Sequence, residues 1–308
     1  MIPLNDPVWR KLYTAHGYED VPAMLAQMRD EFDEDTKDFL YDSLVHQETC
    51  YPATYAAVPH LLDIARTQTE ARPADVIASA LAWVIVCSVE DHTDDPPFPQ
   101  GLPRTPKDWA RAVDWFDRSG SASTRAGMDM EAILRIGSDW YASVPQIGQL
   151  CTDRLKSGRK TDEMAAGLLM GVIAADGDAD RARVLENQGD GWVGCMYCGA
   201  THHFLDFEDR RAIYPDTASG MEAVAIPTSA RLQQPDMLDF KAGAPDRAST
   251  FATPAGPDAE AGAGRAIAVA EQTQSPRMAA SIRNLFGHCK CLGCGRQTLL
   301  TQRRLGDS

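Results

Sequence analysis

The chain is short of positive charge: 30 Lys and Arg stand against 44 Asp and Glu in 308 residues, a formal net charge of −14. Nucleic-acid affinity is mostly cationic neutralisation of phosphates, so this balance argues against a general phosphate-backbone binder. Long apolar runs are lacking as well, with none expected to approach the ~18 residues that span a bilayer. The opening MIPLNDPVWRKLY has no charged segment followed by an apolar one, so no secretory leader is expected. The expected setting is the cytoplasm, with no membrane partner. A Gly-rich phosphate loop, a G-x-S-x-G elbow and an H-E-x-x-H pair are all missing, which removes the common nucleotide-binding and hydrolase signatures.

What is present fits a soluble globular protein, with 44% hydrophobic and 24% charged residues. The length exceeds what one small core organises, so a medium domain and a smaller one are expected. Charge is segregated: from Pro276 to Ser308 there are six basic side chains against one acidic one, Asp307. This tail reads as a basic patch that docks on an acidic body, with nucleic-acid contact as the alternative.

Eight cysteines without a secretory leader do not suggest a disulfide framework, and five of them lie in two knots. Cys50, Cys87 and Cys151 sit singly in apolar helical stretches and are assigned to packing. The knots are CMYCG at 195–199 and CKCLGCG at 289–295, the second ending in a matching CLGCG at 291–295. Two thiolates three residues apart converge on one ion only where the chain turns tightly, and the trailing glycine supplies a position open to positive φ. Four soft sulfur donors in a closed tetrahedron select zinc over magnesium or calcium. The expected ligands are Cys195, Cys198, Cys291 and Cys294, a pattern that resembles the two knuckles of a zinc ribbon. Cys289, His288, His202 and His203 remain as alternates for one position. With four cysteines no site is left for water, so the Zn2+ is expected to be structural rather than catalytic. Between Cys198 and Cys291 lie 92 residues, including an Ala/Gly/Pro-rich insert at about 216–275 that reads as an irregular excursion.

The first 188 residues carry helical periodicity and no clear strand, in DEDTKDFLYDSL, YPATYAAVPHLLDIART, PADVIASALAWVIVCSVE, TPKDWARAVDWFDR, MDMEAILRIGSDWYASVPQIGQL and TDEMAAGLLMGVIAA. The HHFLDFE stretch after the first knot alternates like a strand. Val-Pro recurs at Val21, Val58 and Val144, with spacings of 37 and 86 residues, the second being twice 43. A period near ~40 residues is the dimension of paired-helix repeats, although proline also simply suits the first turn of a helix. LVHQETCYPATYAAVPHLLDIA at 44–65 resembles the H-Q-x-T-x-Y-P-A-T and A-V-P-x-L-L pattern of bacterial HEAT-like repeat proteins, over about residues 10–185. The chain departs from that pattern near residue 101, inside DDPPFPQGLPRTP. The resemblance implies a mainly α fold: a HEAT-like α-solenoid of stacked helix pairs at 1–188, followed at 189–308 by a split, zinc-ribbon-like β element. It also implies a binding surface rather than a catalyst.

His46, Glu48, Cys50 and His60 suggest a Cys–His or metal constellation, with carboxylates of EDHTDD at 90–95 nearby. The favoured reading is structural: helix-end histidines, a Tyr51-Pro52 turn and a solvated loop at EDHTDD. The function expected from sequence is a non-catalytic, zinc-containing scaffold for a protein partner, with a basic partner favoured by electrostatic steering. A nucleic-acid-associated zinc-ribbon factor and an enzyme using His46 and its neighbours are the alternatives.

Overall fold

The computed structural model describes residues 1–46, 49–88, 130–183, 185, 190–195, 197–198, 200–206, 211–215, 250–255, 261–273 and 275–299. The protein is mainly helical, with nine α-helices among the described residues and a few small strands. Two compact units divide it: residues 1–154 with 174–179, and residues 155–173 with 180–308. The expected helix at TPKDWARAVDWFDR and the loop at 90–95 lie outside the described residues.

The first unit opens with a 3-10 turn, Pro7–Lys11, capped by the Asp6 carboxylate, which accepts the Val8 amide. Helix α1 (Val21–Asp30) follows, then α2 (Glu34–Asp38), which passes into a π-helical turn at Phe39–Leu44. A capping box starts α2: the Asp33 carboxylate accepts the Thr36 amide at 2.9 Å and the Thr36 hydroxyl accepts the Asp33 amide at 2.9 Å. A two-residue ladder, β1 (Val45–His46) with β2 (Thr49–Cys50), interrupts the helices where no strand was expected.

The YPAT tetrapeptide then sets the entry into α3 (Pro52–Thr67). Tyr51 is extended, as the residue before a proline must be, and Pro52 occupies the first helical turn, where its missing N–H costs nothing. The Thr54 hydroxyl accepts the Tyr51 amide at 2.9 Å and donates to the Leu44 carbonyl, tying the helix start to the preceding turn. Residues 68–70 lead into α4 (Ala71–Ser88), which packs against α3.

Helix α4 corrects the expectation that no apolar run is long enough for a membrane. By length and composition it qualifies, yet 78% of it is buried inside the protein. Its Ile77, Leu81, Val84 and Ile85 belong to the core with Tyr55, Leu61 and Ile64 of α3. Helix α5 (Met130–Lys156) supplies Trp140, whose ring meets Tyr55 edge-on at 5.1 Å, a preferred aromatic geometry. Arg154 reaches the buried Asp75 carboxylate at 2.6 Å. Cys50 and Cys151 point at the carbonyls of Val84 and Ala78, both at 3.6 Å, and Cys87 is fully buried. Burial pushes the Cys151 thiol up to about 12, so these three cysteines act as small packing groups.

The three Val-Pro segments are not equivalent. Val21–Pro22 opens α1 under the Asp20 cap, whereas Pro59 and Pro145 lie inside α3 and α5. Proline is free at a helix start but removes one backbone bond inside a helix, so only the second and third segments share a setting.

The second unit contains α6 (Asp162–Ala175), α7 (Ala179–Arg183) and an antiparallel four-stranded sheet in the order β3 (Asp190–Gly194), β4 (Thr201–Asp206), β5 (Arg211–Pro215), β6 (Thr250–Phe251). Helices α8 (Ala261–Glu271) and α9 (Pro276–Leu285) pack on each other and precede a hairpin of β7 (His288–Lys290) and β8 (Gln297–Leu299). The presence of β6 and α8 corrects the reading of 216–275 as an irregular insert. The sequence AGAGRAIAVAE folds as a helix because alanine is the strongest helix former, and its Gly and Pro neighbours had masked that propensity. Residues 216–249 and 256–260 of the insert lie outside the described residues. Ser275 caps α9 by accepting the Met278 amide at 3.2 Å, and its hydroxyl donates to Asp162 at 2.9 Å. A mutual pair of backbone bonds between Thr253 and His288, at 2.7 and 3.1 Å, places the last hairpin against the sheet.

One buried imidazole gives the first unit a pH response. His60 donates its Nε2–H to the Ile2 carbonyl at 2.8 Å and lies 5.9 Å from the Trp9 ring. Burial holds its pKa below the ordinary imidazole value of 6.5, with the Ile2 bond opposing. As pH falls from about 6.5 towards that lower value, the unfolded chain binds a proton that the folded one does not, so stability present above about 6.5 is lost. Thermal unfolding should therefore show a falling midpoint for the first unit between neutral pH and about pH 5.5, and a smaller fall in His60→Gln. Equal falls in both would exclude this origin. Leu81→Ala should destabilise the same unit by ~2–5 kcal/mol, measured by denaturant titration.

Candidate metal centre

Each knot sits in the turn of a hairpin. Cys195 directly follows β3 and Cys198 precedes β4, while Cys291 directly follows β7 and Cys294 precedes β8. The two turns close in the same way: the Cys195 amide donates to the Ala200 carbonyl at 2.8 Å, and the Cys291 amide to the Arg296 carbonyl at 2.8 Å. In the second knuckle the Gly295 amide returns to the Cys291 carbonyl at 2.9 Å, and Gly295 has φ of +72°, which a side chain would oppose. Gly199, its counterpart, lies outside the described residues. Gly293 faces the first knuckle so closely that a Cβ there would meet Ala200 Cβ at 3.0 Å and Cys198 Sγ at 3.6 Å.

The knuckles bring four sulfurs together. Cys195 and Cys294 stand 3.8 Å apart, Cys198 and Cys291 3.7 Å, and all four Sγ atoms lie within 4.8 Å of one another. With metal–sulfur bonds of ~2.3 Å, the edge of a tetrathiolate tetrahedron is about 3.8 Å, so the donor set fits a single ion. The separations are far longer than a disulfide bond of ~2.05 Å, and all the cysteines are free thiols. Cys195 and Cys291 are buried, whereas Cys198 and Cys294 are exposed.

The electrostatics agree with a site that needs a cation. Burial works against the Cys195 thiolate, but the amides of Cys198 and Tyr197, with the Cys291 and Cys198 thiols, outweigh it and bring Cys195 down to about 6. At Cys198 the Ala200 amide favours the thiolate, yet desolvation and the sulfurs of Cys291, Cys195 and Cys294 push it up to about 11. One sulfur of the cluster ionises easily and its neighbour resists, as crowded like charges must. A bound cation removes that conflict and draws off the protons.

Cys289 is buried on β7, outside the four-sulfur set, and burial, then the charges of Cys291 and Cys195, push it up to about 11, with Arg211 opposing. His288 is half-buried beside it in the ladder with β8, and the His203 side chain lies outside the described residues. His202 on β4 is buried and brings Nε2 to 3.3 Å from Cys291 Sγ. It stands as a nitrogen partner to a ligand sulfur, the arrangement that orients and protects a thiolate donor. Sequence reasoning missed Arg211, which is fully buried with its guanidinium 4.2 Å from the Phe204 ring centroid. No local pattern marks a buried arginine, since its burial follows from the pairing of β5 with β4 and β6.

Among the described residues, those considered for catalysis in the first unit form no metal-binding cluster. Cys50 turns to the Val84 carbonyl and His60 to the Ile2 carbonyl, while the His46 ring meets that of His16 at 5.6 Å. Glu48 lies outside the described residues. Comparison with protein-family models, curated proteins and solved structures gives no match.

Three variants separate ligand from neighbour. Cys195→Ser should abolish tight metal retention, since a neutral hydroxyl is a poor substitute for a thiolate. His202→Ala should weaken it by ~10- to 100-fold, the usual cost of losing a partner that supports a ligand. Cys289→Ser should leave it within about threefold of the parent, well short of that cost. Competition against a chromophoric chelator measures all three, and a Cys289→Ser loss as large as that of Cys195→Ser would overturn the assignment.

Proposed function

We propose that the protein is a non-catalytic binding scaffold of the cytoplasm: an acidic, HEAT-like array of helix pairs that holds a protein partner, joined to a unit built on structural Zn2+. The observation that carries the zinc reading is the convergence of four cysteine sulfurs at the edge length of a tetrathiolate tetrahedron. Cys195, Cys198, Cys291 and Cys294 would hold the ion, and all four positions are sulfur, which leaves none for a reacting water. What the ion supplies is a crosslink between segments 92 residues apart in sequence.

A protein partner is supported by the formal charge of −14, which favours a basic surface by steering. It is also supported by α3, which buries Tyr55, Leu61 and Ile64 and exposes Asp63, Arg66 and Thr67. Specificity in such an array resides in surface side chains, which is why no short motif announces the partner.

Elemental analysis of the purified protein should give one zinc per chain, and a visible absorption band from iron would replace zinc in this account. Chelation should then reduce hydrogen-exchange protection in 190–215 and 276–299 while leaving that of 52–88 and 130–154 within experimental scatter. Loss of protection through both segments would mean that the ion supports a single core. Crosslinking in the native cell should capture a basic protein through the first unit, with capture lost at high ionic strength. A salt-insensitive partner would contradict the electrostatic reading.

A further inference from the structure

We propose that the tips of the two knuckles form a docking surface for single-stranded nucleic acid, with Tyr197 as the stacking platform and Arg296 and Lys290 as phosphate contacts. Tyr197 is the most exposed aromatic among the described residues, at 55% of its surface. It lies inside the first knuckle, between Cys195 and Cys198, a place where a small or polar residue would satisfy the turn equally well. The Arg296 guanidinium comes from the second knuckle and lies 5.4 Å from the Tyr197 ring centroid. The Arg296 backbone is held by the knuckle itself, because its carbonyl accepts the Cys291 amide. Lys290 is exposed, and its Cε lies 3.9 Å from where a Cβ on Gly295 would stand, which lays its stem along the same turn.

The local charge differs from that of the whole chain. Between 276 and 299 there are four Lys or Arg and no Asp or Glu, and between 191 and 205 there is no acidic residue. Arg277 lies at the start of α9 and Arg283 is paired with Glu271, which leaves Lys290 and Arg296 as the cations at the knuckle tips. An exposed ring flanked by cations is the chemistry of single-strand binding: every base has a face to stack, and the phosphates between bases meet the cations. A duplex hides its base faces, and an acidic peptide needs the cations but not the exposed phenol. The acidic remainder of the chain repels phosphate, which confines the footprint to a short strand, and two phosphate contacts give a modest salt slope of about 1.4.

This proposal goes beyond the partner of the helical unit and is tested separately from it. Fluorescence anisotropy of a labelled oligothymidylate of roughly 15 nucleotides is read against the full-length protein with its native metal, from about 50 to about 200 mM salt. Binding is expected, with Tyr197→Ala weakening it by ~5- to 100-fold and Tyr197→Phe changing it by less than about twofold. Arg296→Ala and Lys290→Ala should each lower the salt slope by ~0.7, the value for one phosphate contact on a single strand. Unchanged metal content in every variant shows that the knuckles are intact. Absence of binding at low salt, or binding indifferent to Tyr197→Ala, overturns the proposal. Equal binding of polyglutamate with the same sensitivity to Arg296→Ala also overturns it and assigns the surface to an acidic protein.

Discussion

Four thiol groups gathered within 4.8 Å cannot all ionise in the absence of a cation, and the geometry of the second unit makes sense only around that constraint. Two hairpins present the same closed turn, each with a cysteine amide returning to the carbonyl five residues ahead. The turns are rigid because backbone bonds set them, but their mutual approach rests on the sulfurs. A cation at their centre would convert that repulsion into a crosslink between segments separated by 92 residues. Loop-closure entropy grows only slowly with length, so a single tight site of this kind suffices to hold the ends together.

The first unit rests on a different source of stability. Helices α3, α4 and α5 bury Tyr55, Leu61, Ile77, Leu81 and Trp140 against one another, and the Thr54 hydroxyl ties the start of α3 to the Leu44 carbonyl. Apolar burial of ~1.5–3 kcal/mol per large side chain accumulates there without help from a metal. The unit also keeps its thiols inert: Cys50, Cys87 and Cys151 are buried and directed into the core. Of the four knuckle cysteines, by contrast, Cys198 and Cys294 are exposed.

The contrast explains what was legible in the sequence. The convergence of Cys195, Cys198, Cys291 and Cys294 was legible because each knuckle is a local turn with a fixed spacing, and helices α3 to α6 were legible because their apolar period is local too. The ladder at Val45–Cys50 was missed, being too short for an alternating pattern to register. Helix α8 was missed because glycine and proline nearby outweighed alanine in a reading by composition. The approach of His202 to Cys291 and the burial of Arg211 depend on which strands pair with β4 and β5, and strand pairing over long separations leaves no local signal. Val-Pro misled for a related reason: the same dipeptide serves as a helix start at Val21 and as an interior step at Val58 and Val144.

The central claim is that the four sulfurs share one structural ion. X-ray absorption at the metal edge of the protein purified without added metal tests it most directly. The account predicts a zinc edge with four sulfur neighbours at ~2.3 Å and no nitrogen or oxygen in the inner shell. A shell containing a histidine nitrogen or a water oxygen would contradict a closed tetrathiolate site, and so would a metal-free protein with its cysteines still reduced.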